Sequence, residues 1–149
     1  MSSLVVLIYR IAYALHRMRI PIIPNFINVV FVRIMFGCQI GLGAKLGNGV
    51  NLGYGGLGVV IHKRVVVGNN VSIGSNVTIG GTSKIYGVPV IGDDSIISSG
   101  AKIIGDINIG SNVVVGANAV VLESLPDRCV AVGVPARIVK SNVNITDYR

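Results

Sequence analysis

Aliphatic residues recur in this chain every six positions. Ile40, Leu46 and Leu52 are spaced by six; after one slip, Ile61, Val67, Ile73, Ile79, Ile85, Ile91, Ile97, Ile103, Ile109, Val115 and Val121 take up the same interval. Gly follows directly at 41, 47, 53, 68, 74, 80, 92, 110 and 116. A helix repeats every 3.6 residues and a strand every 2, so a period of six is an internal repeat, and a repeat decides the fold before any other signal. The fold it specifies is a mainly β parallel β-helix. Each hexad supplies a short strand and a corner. The aliphatic residue points inward, and the Gly after it is expected to relax the backbone at the bend. Asn70, Asn76, Asp94, Asn112 and Asn118 stand three residues after an inward position, and Asn and Asp tolerate the left-handed conformation that a corner requires. Val65, Val71, Val77, Ser95, Ala101, Val113 and Ala119 stand two before one, where small or β-branched side chains suit a tight wall. Three hexads close a triangular coil, and coils stack at about 4.8 Å, the strand spacing. The competing fold, a β-sandwich with Gly-rich turns, gives no reason for so long a run of in-phase aliphatics.

Composition fits a narrow prism. The 149 residues suffice for one domain with a core, Gly is frequent and Trp absent. With only 13% charged residues and a mean hydropathy of +0.71, a lone chain would expose apolar faces, so a homo-oligomer is expected. Cys38 and Cys129 have neither metal-type nor disulfide-framework spacing, which points to a reducing cytoplasm and to buried, inert thiols. The net charge of +7 is not organised as a basic stripe with interleaved aromatics, so nucleic acid is a poor partner. An anionic cofactor or an anionic membrane surface accounts for the charge better.

The chain divides into three parts. Residues 1–38 read as helices: Leu4–Met18 is apolar with interruptions, Pro21 and Pro24 break it, and Phe26–Phe36 is a second apolar run. Neither run reaches the ~20 apolar residues needed to span a bilayer, and the lack of a basic n-region disfavours a cleaved signal peptide. Two readings stay open for this part: a cap shielding one end of the solenoid, and a peripheral membrane dock. Residues 39–125 are the solenoid. It has an insertion within Gly53–Gly58 and a segment, Gly81–Pro89, that departs from the hexad pattern and reads as a loop leaving the coil. Residues 126–149 are a tail expected to pack on the last coil.

Tyr54 and His62 lie in or beside the first irregularity. His62 takes the corner position where most hexads carry Gly, so its ring is expected to face outward. Histidine can take a proton from an alcohol at neutral pH, which makes His62 the candidate base, although an exposed His is commonly a mere surface residue. With only His16 besides, no three-His metal site can be built in one chain, and no metal is expected.

Three stretches carry a resemblance: Val77–Thr82, Ser99–Gly105 and Val132–Val139. They resemble the serine acetyltransferase branch of the hexapeptide acyltransferases, from about residue 40 to 140. The resemblance implies a left-handed parallel β-helix, a homotrimer and acetyl-CoA as the acyl donor. It implies that the pantetheine arm lies between two subunits against Gly81, Thr82, Ser99 and Ala117, with Arg137 and Lys140 toward the CoA phosphates. It also implies a catalytic His where this chain has Tyr54. A second active-site His belongs to an Arg-His-Pro triplet that reads Gly87-Val88-Pro89 here. Both histidines and the charged residues that hold serine are absent.

That departure argues for a neutral acceptor, a sugar hydroxyl on a small-molecule or lipid-linked saccharide. The run 55–62 resembles acetyltransferases of surface-polysaccharide pathways, at work in the cytoplasm or at the inner face of the membrane. On this reading His62 draws the proton, with Tyr54 as its hydrogen-bonding partner. A serine acetyltransferase with an altered site and a non-catalytic trimeric scaffold remain the alternatives. Retention of the stretches that resemble the CoA side weighs against the scaffold.

Overall fold

The computed structural model describes residues 3–149; the first two residues of the expected helical segment 1–38 lie outside the described residues. Helix α1 (Leu4–Arg17) is followed by a short helix α2 (Ile23–Ile27) and a π-helical stretch, Asn28–Met35. The solenoid then winds through short parallel strands. The first coil is β1 (Gln39–Ile40), β2 (Lys45–Leu46) and β3 (Asn51–Leu52); the second is β4 (Val60–Ile61), β5 (Val66–Val67) and β6 (Ser72–Ile73). The third is β7 (Thr78–Gly80), β8 (Val90–Ile91) and β9 (Ile96–Ile97), and the fourth is β10 (Lys102–Ile104), β11 (Asn108–Ile109) and β12 (Val114–Val115). A partial fifth coil holds β13 (Val120–Val121) and β14 (Cys129–Val132).

Three faces result. The first sheet runs β1-β4-β7-β10-β13, the second β2-β5-β8-β11 and the third β3-β6-β9-β12-β14. Register places like on like: Ile40 pairs Ile61, Ile61 pairs Ile79, Ile79 pairs Ile103, and Ile103 pairs Val121. These inward residues are fully or almost fully buried, as are Val65, Val71, Val77, Ala101, Val113 and Ala119 two positions before inward ones. Each hexad therefore contributes two core side chains. Ser95 occupies one of these positions as a buried polar residue. Its hydroxyl is satisfied by the Gly110 carbonyl at 3.0 Å and the Val113 amide at 3.1 Å, as a buried hydroxyl must be.

The corners are as expected at Asn70, Asn76, Asp94, Asn112 and Asn118, all left-handed with φ between 54° and 57°. The expectation for the post-aliphatic glycines is corrected. None of them has positive φ, so bending is not what they supply. They supply room. At Gly92, a Cβ would stand 2.6 Å from the Gly110 carbonyl carbon and 2.7 Å from the Ser111 amide nitrogen, both backbone of the next coil. Gly53 and Gly80 are exceptions with ordinary or open space. Ile85 keeps the six-residue phase but does not enter the core; it is exposed, because 81–89 leaves the coil.

The helices cap the first coil for a reason found in the ladder. Along the strands each coil donates its N–H groups to carbonyls of the following coil, as in Gln39 to Val59 and Gly41 to Ile61. The first coil is left with acceptors, and an open edge of this kind must be covered. The helical segment brings donors. The Tyr9 hydroxyl lies 2.8 Å from the Ala44 carbonyl and 3.0 Å from that of Gly41. The Asn28 side-chain amide donates to the Ile40 carbonyl at 2.9 Å, and Arg10 donates to that of Gly47. Burial pushes the Tyr9 phenol well above its ordinary pKa, so it remains a donor. Val5, Val6, Tyr9 and Ala12 form the buried face of α1, a spacing that matches one helical stripe.

At the other end, Pro126 does not stop the stacking. Val130 and Ala131 of β14 pair in parallel with Val114 and Val115 of β12, so the third sheet runs past residue 125. The strand β15 (Arg137–Ser141) then returns antiparallel on β14. Ile145 and Val143 pack on Val114, Val130 and Ile96, covering the lower part of the third face. Cys38 and Cys129 are both buried and unbridged. Burial pushes the Cys38 thiol up to about 12, and burial with the nearby Asp127 charge raises that of Cys129, so neither is poised as a thiolate nucleophile.

Candidate active site

The solenoid's topology assigns each candidate residue from Tyr54 to Ala117 to a corner. His62 follows β4, at the corner between the first and second sheets, and Gly81 and Thr82 follow β7 at the same corner one coil on. Tyr54 sits in the turn Gly53–Gly56 that joins β3 to β4, at the corner between the third and first sheets. Ser99 and Ala117 follow β9 and β12 at that same corner. The six candidates on the solenoid therefore fall into two sets on opposite edges of the first sheet. The expected pairing of Tyr54 with His62 is corrected for a single chain: the strand β4 lies between their corners, and Tyr54 projects into solvent with φ 51°.

His62 borders a shallow groove of about 400 Å³ on the outer face of the first sheet, lined also by Gln39, Val60, Lys63, Thr78 and Gly81. Its backbone is fixed by donation to the Ile79 carbonyl at 2.9 Å. Its Nδ1 accepts a hydrogen bond from the Arg64 amide at 3.2 Å, which assigns the proton of the neutral ring to Nε2. Partial burial, followed by the Arg64 and Lys63 charges, lowers its pKa from the usual value. The ring is therefore neutral at pH 7.

Arg64 ties the excursion 81–89 to this corner. Its guanidinium donates to the Tyr86 carbonyl at 2.6 Å and lies 4.1 Å over the Tyr86 ring, a cation–π contact. Within the excursion, Gly87 leans on Asp106, and a Cβ there would come within 2.0 Å of the Asp106 carboxyl carbon. Val88 is buried. Neither position of this segment presents a titratable side chain to the groove.

Of the second set, Ser99 borders another shallow groove of about 280 Å³, lined also by Asn51, Gly53, Ser72, Gly74 and Ser98 among others; Tyr54 and Ala117 do not line it. Arg137 lies apart, in a cavity of about 180 Å³ under the last coil beside Glu123 and Ser124. The Lys140 ammonium sits 5.9 Å over the Tyr148 ring within the tail. Sequence reasoning missed Gln39, Lys63 and Thr78. The signal available was their register: Gln39, Val60 and Thr78 are paired neighbours on one outer face. Gln39 also leaves its side-chain oxygen buried without a partner among the described residues.

Residues 89–123 match the family described as bacterial transferase hexapeptide (six repeats). Fold and repeat together define a hexapeptide-repeat solenoid of the transferase type. Over about nine-tenths of its length the chain is similar to serine acetyltransferases. Soybean serine acetyltransferase complexed with serine is 39% identical with a TM-score of 0.84, over 91% of this chain and 56% of that one. The Neisseria gonorrhoeae serine acetyltransferase is 35% identical with a TM-score of 0.87, over 94% and 54%. A serine acetyltransferase solved in complex with CoA is 34% identical with a TM-score of 0.82, over 91% and 55%. The chain thus spans little more than half the length of the proteins it resembles. A comparison with curated proteins gives no match.

Proposed function

We propose that this chain is an acetyl-CoA-dependent O-acetyltransferase that works as a homotrimer on a saccharide hydroxyl, in the making of surface polysaccharide. The similarity to serine acetyltransferases, one solved with CoA, supports the donor. The observation that carries the neutral acceptor is the chemistry of the excursion 81–89 and of the Tyr54 turn. Where the resemblance calls for charged and basic groups, the chain has Gly53, Tyr54, Gly87 packed on Asp106, and a buried Val88. None of these four residues has a charged side chain to pair with the carboxylate or the amine of an amino-acid zwitterion, and desolvating either group without a partner costs several kcal/mol.

The split of the candidates between two corners supports the trimer. On a triangular prism, the first–second corner of one copy and the third–first corner of the next can face each other. That contact is heterologous and closes after three copies. His62, Gly81 and Thr82 of one copy then meet Tyr54, Ser99 and Ala117 of its neighbour. Light scattering of the purified protein is expected to give three times the 15.6 kDa chain mass. A monomer at micromolar concentration would leave the two half-sites apart and sink the shared site.

In the proposed reaction His62 takes the proton of the acceptor hydroxyl as its oxygen attacks the thioester carbonyl. The tetrahedral adduct expels the CoA thiolate, which recovers the proton from the imidazolium, leaving the acetyl ester and free CoA. Nε2 accepts that proton only in the Nδ1–H tautomer of the ring, reached by proton exchange with solvent. That tautomer gives up the hydrogen bond that Nδ1 accepts from the Arg64 amide, a loss of about 1 kcal/mol. CoA release is expected at background with free L-serine and measurably faster with nucleotide sugars or lipid-linked oligosaccharides as acceptors. Saturable turnover of L-serine would return the chain to the amino-acid reading that its 39% identity to the soybean enzyme favours.

A further inference from the structure

We infer that the outer face of the N-terminal cap docks on an anionic lipid bilayer. The inner face of the cap is spent on the first coil, but the outer face is also apolar. Leu7 and Ile11 on α1, and Ile22, Phe26, Ile34 and Met35 beyond it, are exposed, with Ile22 at 80% and Phe26 at 59%. Ile22 carries a φ of 67° with ψ −53°. That is an outlying conformation for a β-branched residue, and it holds a large apolar side chain out into solvent at the turn between the two helices. Strain of this kind persists where the surrounding structure imposes it, commonly at sites of function.

Basic groups surround the same turn. A cavity of about 530 Å³ between the end of α1 and the start of α2 is lined by His16, Arg17, Arg19, Ile20 and Ile22, among others. Arg17, Arg19 and Arg33 are exposed. No Asp or Glu precedes Asp93 in the whole sequence, while residues 1–92 hold Arg10, Arg17, Arg19, Arg33, Lys45, Lys63, Arg64 and Lys84. The cap thus offers apolar side chains for the acyl boundary and cations for the headgroups, the two ingredients of interfacial binding. No described helix is long and apolar enough to cross a membrane, which leaves docking in the plane of the surface.

The competing occupant is the same face of a second copy. Charge argues against it: two such faces would bring arginine against arginine, with no carboxylate in either cap to pair them. The inference stands on the cap alone and does not need the transfer reading, because vesicle binding is measured without turnover.

The test is sedimentation of the whole protein with vesicles of phosphatidylcholine alone and of an equal mixture of phosphatidylcholine and phosphatidylglycerol. Binding is expected only to the mixed vesicles and is expected to weaken with salt. Arg17→Gln with Arg19→Gln should lower the partition roughly 20-fold, and Ile22→Ser with Phe26→Ser by roughly tenfold or more. These side chains are exposed, so melting temperatures should stay near the parent's. No binding to the mixed vesicles, or binding indifferent to both pairs of substitutions, overturns the proposal. So does a doubling of the assembly mass that Phe26→Ser reverses, which would make this face a contact between copies.

Discussion

Replacing His62 by alanine is expected to lower turnover by about 10²–10⁴-fold, the usual loss when a general base is removed, with acetyl-CoA affinity nearly unchanged. The ring borders the groove, while its own backbone is held in the ladder by the Ile79 carbonyl, so the substitution removes a side chain without disturbing the coil. His62→Gln separates the two roles an imidazole can play here. Glutamine offers a donor but no basic nitrogen. Activity that survives in His62→Gln and fails in His62→Ala would identify a hydrogen-bond donor to the oxyanion instead of a base. The pH profile gives a further check. Burial and the neighbouring Arg64 and Lys63 charges lower the His62 pKa, and the base must be neutral to act. The acid limb of turnover should therefore have its midpoint below 6.5, the ordinary histidine value. A midpoint at or above 6.5, or a full rate in His62→Ala, would mean that the proton goes elsewhere.

The fold was legible because one residue class does one job throughout. The inward positions of the regular hexads are aliphatic, and five of their left-handed corners carry Asn or Asp, so the six-residue beat and the corner chemistry agree there; Tyr54 and Arg128 are left-handed without that signal. The beat misled at Ile85, where phase persists through a segment that has left the coil, because periodicity registers spacing and not burial. It misled about the glycines as well. A Gly that bends the chain and a Gly that makes room for the next coil look alike in sequence, and only the stacking distance distinguishes them. The candidate site was half legible. His62 was placed correctly on an outward corner. Its distance from Tyr54 could have been obtained by counting hexads, since a whole strand of the first sheet separates positions 54 and 62. Gln39 and Thr78 were not read from the sequence, because they become neighbours of His62 only when the hexads are laid in register across coils.

The stacking role of glycine leads to the second large effect, Gly92→Val. Gly92 donates its N–H to the Ile109 carbonyl at 2.8 Å, and the flanking Val90 and Asn112 amides complete the contact between the third and fourth coils at this face. The atoms a Cβ would strike are the carbonyl carbon and oxygen of Gly110 and the amide nitrogen of Ser111. All belong to the backbone, so no side chain can swing aside. The coils must separate locally, which lengthens the ladder bonds and opens the packing of Ile91 on Ile109, paired neighbours in the second sheet. Overpacking in a rigid interior costs up to about 3 kcal/mol or more, which lowers the melting temperature of a domain of this size by roughly 10 °C. Gly80→Ala is the matched control. It occupies the same place in its hexad, its φ is not positive, and nothing stands within 4 Å of the added carbon. Its stability should change by no more than about 0.5 kcal/mol. Thermal melts of the two variants beside the parent decide the matter. If both melt alike, the post-aliphatic glycines are not spacers between coils, and their recurrence needs a different physical cause.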